Sequence, residues 1–278
     1  MDFAGSWYPG EAAACERRIR GYWTQPLPAD LPPARWGVAP HAGWVYSGAL
    51  AGRVHQALAA DPAVELAIVL GGHLRAGDPV VAMVEGQWAT PFGALPIHGA
   101  FRAELQALER VREETPLRCT PDNSTELQLP FVRYKYPRAE LLALRVPPGP
   151  LALALGGLLA AYLQRTGLTA VGIASTDLTH YGPGYGFEPH GRGAEALRWV
   201  REENDPAFIE AVATGEGERI LSVANHRHCA CSAGAVAALN EVARRQGLRF
   251  RPLGYATSDD VKPGDSLNFV GYLGGVWC

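Results

Sequence analysis

Three polar clusters in this 278-residue chain come just after short apolar runs. His41 follows the run ending at Pro40, His73 the run ending at Leu70, and Asp177 to His180 the run ending at Ala174. Runs that are apolar throughout read as strands buried on both faces. Ligands of open α/β sheets bind outside the C-terminal ends of such strands, so the three clusters are expected to converge on one crevice. Two histidines with a soft or anionic third ligand make a facial metal site with open positions, as used in iron-dependent oxygen chemistry and in some copper sites. The segment carrying His226, His228, Cys229 and Cys231 offers the third ligand. It lies before a helix expected from Ser232, and a helix N-terminus favours the thiolate, which is the ligating form.

Each of these residues also has a plainer reading. A single histidine after a strand is commonly a hydrogen-bonded structural residue. Asp177 and His180 would serve equally well to cap the turn after their strand. Cys229 and Cys231 have one residue between them, whereas zinc motifs place two to four residues between thiols and need a second pair, so a structural zinc is not expected. Ser175 and His180 lack a Gly-x-Ser-x-Gly elbow, which argues against acyl transfer. His55, His98 and His190 are given no functional role.

The elements that must position the clusters are legible from periodicity. Ala12, Cys15, Ile19 and Tyr22 recur at helical spacing before the proline-rich run Pro26 to Pro33. Strands are expected at Trp36 to Pro40, Glu65 to Leu70, Pro79 to Val84, Leu141 to Val146 and Leu168 to Ala174, with closing strands near Phe250 to Tyr255 and Leu267 to Val276. Helices are expected at Ser47 to Ala60, Phe101 to Val111, Leu151 to Gln164, Ala194 to Glu203, Pro206 to Ala213 and Ser232 to Arg245. This alternation predicts an α/β fold with a central, mostly parallel or mixed sheet flanked by helices. No stretch reads as an interdomain linker, so one domain over residues 1–278 is expected.

Composition narrows the function classes. With 47% hydrophobic and 19% charged residues the chain is globular. A formal charge of −3 lacks the basic excess that a phosphate backbone demands, so nucleic acid is not an expected partner. No secretory leader is read at Met1 to Gly10, and the longest apolar stretch, Leu151 to Leu163, is too short to span a bilayer. A cytoplasmic protein with no membrane partner is therefore expected. Five dispersed cysteines fit reduced thiols rather than a disulfide framework.

Taken in order along the chain, seven motifs resemble the MEMO family, which includes the B component of the bacterial AmmeMemoRadiSam set and is related to class III extradiol dioxygenases. They are Ala4-Gly5-Ser6-Trp7-Tyr8; Ala39-Pro40-His41-Ala42-Gly43-Trp44 with Tyr46-Ser47-Gly48; and Leu70-Gly71-Gly72-His73. Further on come Trp88-Ala89-Thr90-Pro91-Phe92-Gly93, the run Ser124-Thr125-Glu126-Leu127-Gln128-Leu129-Pro130-Phe131, the run Ser175-Thr176-Asp177-Leu178-Thr179-His180-Tyr181, and Val270-Gly271-Tyr272. The resemblance implies an extradiol dioxygenase-like α/β fold and a metal centre on His41, His73 and the cysteine of a Cys-Gly motif, with Asp177 and His180 lining the same pocket. In the related dioxygenases a histidine resembling His180 acts as acid and base.

The chain departs from the family pattern in three places. Gly71-Gly72-His73 is one residue shorter than the family's strand end, Asn123 stands where the family has a histidine, and the Cys-Gly motif becomes Cys229-Ala230-Cys231. The resemblance favours Cys229 over Cys231 as the thiol ligand, because Cys229 keeps the spacing to the following helix closer to the family pattern. The implied function is that of an iron or copper oxidoreductase acting on a small aromatic or phenolic molecule. The alternative is a non-catalytic protein that binds a metal, or a peptide ligand, in the same pocket.

Overall fold

The apolar runs lie side by side in the computed structural model, which describes residues 1–264 and 267–278. In chain order, α1 (Ala12–Tyr22) leads to β1 (Trp36–Ala39), α2 (Trp44–Ala57), β2 (Leu66–Gly71) and β3 (Val80–Met83). A small ribbon of β4 (Gln87–Trp88) and β5 (Leu95–Pro96) precedes a 3-10 segment, Gly99–Ala107, and β6 (Val111–Glu114). Next come α3 (Asn123–Glu126), α4 (Leu129–Lys135), β7 (Glu140–Arg145), α5 (Pro150–Thr166), β8 (Ala170–Ser175) and β9 (Asp177–Tyr181). The chain closes with α6 (Ala194–Trp199), a π-helical turn Val200–Asn204, α7 (Asp205–Thr214), α8 (Gly217–Arg227), α9 (Ala233–Arg245), β10 (Phe250–Thr257), α10 (Ser258–Val261) and β11 (Phe269–Trp277).

Eight of the strands form a mixed sheet in the order β10-β11-β1-β8-β2-β7-β3-β6, with β9 added alongside β11. Its centre is parallel: β1 pairs with β8, β8 with β2, and β2 with β7. Alternate residues feed two cores, as the period of two in a strand requires. Leu66, Ile68 and Leu70 of β2 join α5, α8 and α9 on one face. Ala67 and Val69 join α1, α2 and α4 on the other. Both faces are thus covered, which is why these strands are continuously apolar in sequence. Among the described residues no helix is long and apolar enough to cross a membrane.

Helices α4 and α8 and the β4–β5 ribbon were not among the expected elements, and two further segments take a different form from the one expected. The amphipathic helix expected at Phe101 to Val111 is a 3-10 segment ending at Ala107, and Val111 instead starts edge strand β6, paired with Val80. Only Phe101 and Leu105 of that segment are buried, too little apolar anchorage to sustain a longer helix. The stretch Asp177 to His180, expected as a polar cluster after its strand with turn capping as its plainer reading, is itself strand β9, paired antiparallel with β11. Residues 177 and 180 would face opposite sides of a regular strand. A register shift between Val270 and Tyr272 of β11 breaks that alternation, and both Asp177 and His180 line one cavity.

Candidate metal centre

Because β1, β2 and β8 run parallel, their C-terminal ends share one edge of the sheet, and His41, His73 and Asp177 all leave from it. His41, His73 and Cys231 each offer one ligand atom, and these atoms lie within 4.8 Å of one another. The two imidazole rings meet edge to face with centroids 5.0 Å apart. His41 Nε2 lies 3.2 Å from Cys231 Sγ.

The thiol brought to the histidines is Cys231, which corrects the expectation of Cys229. Helix α8 ends with His228 in the left-handed conformation (φ 50°), and the turn directs Cys229 back under the helix. There its sulfur is fully buried in the apolar core, 3.8 Å from the Val223 carbonyl. Burial pushes the Cys229 thiol up to about 12, keeping it in the protonated, non-ligating form. Two residues later the Cys231 backbone N–H donates to the Asp177 carbonyl, and the Cys231 sulfur accepts the Asp177 N–H at 3.3 Å. The thiol is thereby tied to the chain segment that follows β8.

Each histidine ring is oriented by a hydrogen-bonding partner on one nitrogen. Gln128, fully buried, donates through Nε2 to the Pro40 carbonyl (2.9 Å) and to Ser175 Oγ (3.0 Å), while its Oε1 accepts from His55 Nε2 (2.9 Å). Ser175 Oγ in turn lies 3.1 Å from His41 Nδ1. A proton on Nδ1 directed at Ser175 leaves the Nε2 lone pair facing Cys231, as ligation requires. Asn123 Nδ2 donates to the His41 carbonyl, so its Oδ1 faces His73 Nε2 at 3.1 Å and must accept from it. His73 Nδ1 is then the unprotonated nitrogen. Asn123, in place of the family's histidine, thus holds His73 rather than serving as a ligand itself.

The short Gly71-Gly72-His73 turn still reaches the cluster. Gly72 has φ +103°, and a Cβ there would stand 2.5 Å from Arg145 Cβ, so only glycine fits without strain. Its N–H donates to Ser124 Oγ at 2.7 Å, and Ser124 is tied to Asp122, which also caps α3. Arg145 is paired with Glu114 beneath the turn.

A cavity of about 530 Å³ opens over His41 and His73. Trp7, Tyr46, Tyr185 and Tyr272 line it, together with Asp177 and His180. Trp7 is placed by Glu126, a buried carboxylate that accepts from the backbone N–H groups of Asp2 and Phe3 and from the Tyr8 hydroxyl. Asp177 Oδ1 accepts the His41 N–H at 2.7 Å. Burial disfavours the charged form of His41, but the Cys231 sulfur and the Asp177 carboxylate outweigh it and raise its pKa. For His180 burial dominates over the pull of Asp177, so its pKa falls below the ordinary value and the ring is neutral at pH 7. Its Nδ1–H donates to the Leu178 carbonyl at 3.1 Å, which leaves Nε2 as a proton acceptor.

The family profile described as Memo-like protein matches residues 1–276. The chain belongs to the Memo-like family. It is 30% identical to a MEMO1 family protein of Pyrococcus furiosus, over 97% of this chain and 95% of that one. It is also 30% identical to a MEMO1 family protein of Methanopyrus kandleri, again over 97% and 95%. A crystal structure of an uncharacterized Escherichia coli K12 protein covers 86% of this chain and 98% of its own, at 13% identity and a TM-score of 0.49.

Some of the Memo-like residues described above had no role assigned from sequence. Gln128, Ser124 and Glu126 are buried polar residues in or beside the apolar run Leu127 to Phe131. Polar side chains in such a run need partners, and that was the readable signal. Asp177 and His180 were expected in the pocket, and both line it.

Proposed function

We propose that this Memo-like protein binds a redox-active metal, iron or copper, on His41, His73 and Cys231, and acts on a small aromatic or phenolic molecule seated in the cavity above. The observation that carries the reading is the convergence of two histidines and a thiol within 4.8 Å, with both histidines lining a cavity walled by four aromatic side chains. The donor set fits the metal: each histidine has one ring nitrogen held by an oxygen partner, while His41 Nε2 faces the Cys231 sulfur, itself a candidate ligand, and the second nitrogen of His73 has no partner among the described residues. A bound ion would supply open positions for a catecholate-type ligand and the redox chemistry of oxygenation.

The chain's own residues do the rest. Trp7, Tyr46, Tyr185 and Tyr272 favour a ring by their apolar faces, with polar tips at Tyr hydroxyls. His180, neutral and unprotonated at Nε2, is suited to take a phenolic proton as the ligand binds and to return it later. Asp177 anchors the His41 backbone while facing the same cavity.

The thiol favours a second reading, in which the centre only binds. A sulfur ligand shifts preference toward copper and is itself open to oxidation. Elemental analysis of protein purified without added metal, followed by oxygen uptake with a panel of catechols, separates the two. Near-stoichiometric iron with uptake is expected for the enzyme. In His180→Gln, metal and melting temperature should be retained while turnover falls about 100-fold. Metal without uptake across the panel would leave the binding reading, and protein that takes up neither iron nor copper would overturn the proposal.

A further inference from the structure

The candidate centre stands between two clefts that share only part of their walls. The first is the cavity of about 530 Å³ already described, which reaches His41, Asp177 and Asn123 but not Cys231. The second, of about 570 Å³, reaches Cys231 but none of those three. His73, His180 and Tyr185 belong to both and form the partition.

The two clefts differ in chemistry. Asp177, Asp259 and Lys262 put formal charges into the first. Among the described residues no Asp, Glu, Lys or Arg lines the second. Apolar wall residues such as Leu74, Leu178 and Phe187 are interspersed there with polar ones, Asn225 and His228 besides the shared His73, His180 and Tyr185. Asn225 is exposed and bridges the rim by donating to the Pro148 carbonyl at 3.3 Å. His228 is the single non-glycine residue with positive φ among those described, and its turn is what swings the chain from α8 to Cys231. Such conformations persist where the surroundings impose them.

Resting on the metal reading above, we infer that the centre is approached from two sides: the organic ligand enters through the first cleft, and a small uncharged reactant such as a diatomic gas reaches the Cys231 side through the second. Walls without Asp, Glu, Lys or Arg favour a small uncharged molecule and disfavour ions. Separate routes also let the second reactant arrive while the first cleft is filled.

The topology is tested on metal-free protein, in a Cys119→Ser background that removes the exposed competing thiol. Alkylation of Cys231 by iodoacetamide is followed by site-resolved mass spectrometry. Asn225→Trp, which fills the rim of the second cleft, should slow it about tenfold or more, whereas Val45→Trp in the first cleft should change it less than about twofold. Ala230→Phe provides the same obstruction should Asn225→Trp fail to fold. Slowing by Val45→Trp, equal slowing by both, or slowing by neither would overturn the two-cleft inference. On iron(II)-loaded protein, nitric oxide binding should slow about fivefold in Asn225→Trp while 4-methylcatechol affinity stays unchanged. Wild-type protein that loads no iron would defeat the metal reading alone, and the alkylation result would still decide the topology.

Discussion

Histidines lie at both edges of the central sheet, and they are used differently. At the edge where β7 begins, His98 places Nδ1 2.5 Å from Glu140 Oε2 and Nε2 2.6 Å from the Tyr162 hydroxyl. Both ring nitrogens are spent on protein partners, and the residue is buried. At the opposite edge, where β1 and β2 end, His73 has one nitrogen on Asn123 and none on the other among the described residues, and His41 directs Nε2 at a sulfur. A histidine held by oxygen partners on both ring nitrogens has no valence left for a ligand, whereas one held by oxygen on a single side, its other nitrogen without a partner or facing a thiol that can itself ligate, is oriented and still available. That contrast separates structural from candidate ligating histidines better than burial does, since both His41 and His98 are buried.

The strongest way to break the contrast is at the sulfur. Cys231→Ser should lower metal affinity about 100-fold or more, while Cys229→Ser should leave affinity unchanged and lower stability by about 1–3 kcal/mol, the cost of a hydroxyl in an apolar site. Titration with cobalt(II), read by thiolate-to-metal absorption, measures the first, and thermal melting the second. A loss of metal in Cys229→Ser with an intact melting curve would reverse the assignment.

The next effect is expected at the turn below His73. In Gly72→Ala the methyl group meets Arg145 and the backbone is held at φ +103°, which together cost about 1–3 kcal/mol. Since the turn carries His73, metal affinity should fall along with the melting temperature. Retained affinity at wild-type stability would show that the turn relaxes freely. A smaller effect belongs to Gln128→Leu, which removes the donors to Pro40 and Ser175 and so frees the His41 ring. About a tenfold loss of metal affinity is expected, as for other groups that orient a ligand through hydrogen bonds.

The sheet and the histidine positions were legible because burial on both faces writes itself as uniform apolarity, and strand ends then locate His41 and His73. Strand β9 was not, since Asp177-Leu178-Thr179-His180 carries polar residues that read as a turn. Its pairing with β11 is set more than 80 residues away in sequence. The choice between Cys229 and Cys231 also escaped sequence reading. It depends on one backbone conformation, the left-handed His228, which local spacing does not encode for a residue other than glycine. Asn123 was seen as a departure from the family, but its role in holding His73 needed the orientation of its amide.

The smallest effect on the centre should come from the other edge, and it is the sharpest control on the comparison. Tyr162→Phe deletes the hydroxyl bonded to His98 Nε2 and leaves that nitrogen buried without its partner. Losing one buried hydrogen bond in this way costs about 1–3 kcal/mol. The melting temperature should therefore fall, but metal content and affinity should not, because His98 stands at the edge where β7 begins and the centre at the edge where β1, β2 and β8 end. A freed His98 would also be a lone imidazole beside Glu140, with no thiol or second histidine to complete a metal site among the described residues. Measuring cobalt(II) stoichiometry and melting on the same sample tests both halves. Altered metal binding in Tyr162→Phe would mean that the two edges are coupled through β2 and β7, and that the saturation of ring nitrogens does not by itself distinguish the two kinds of histidine.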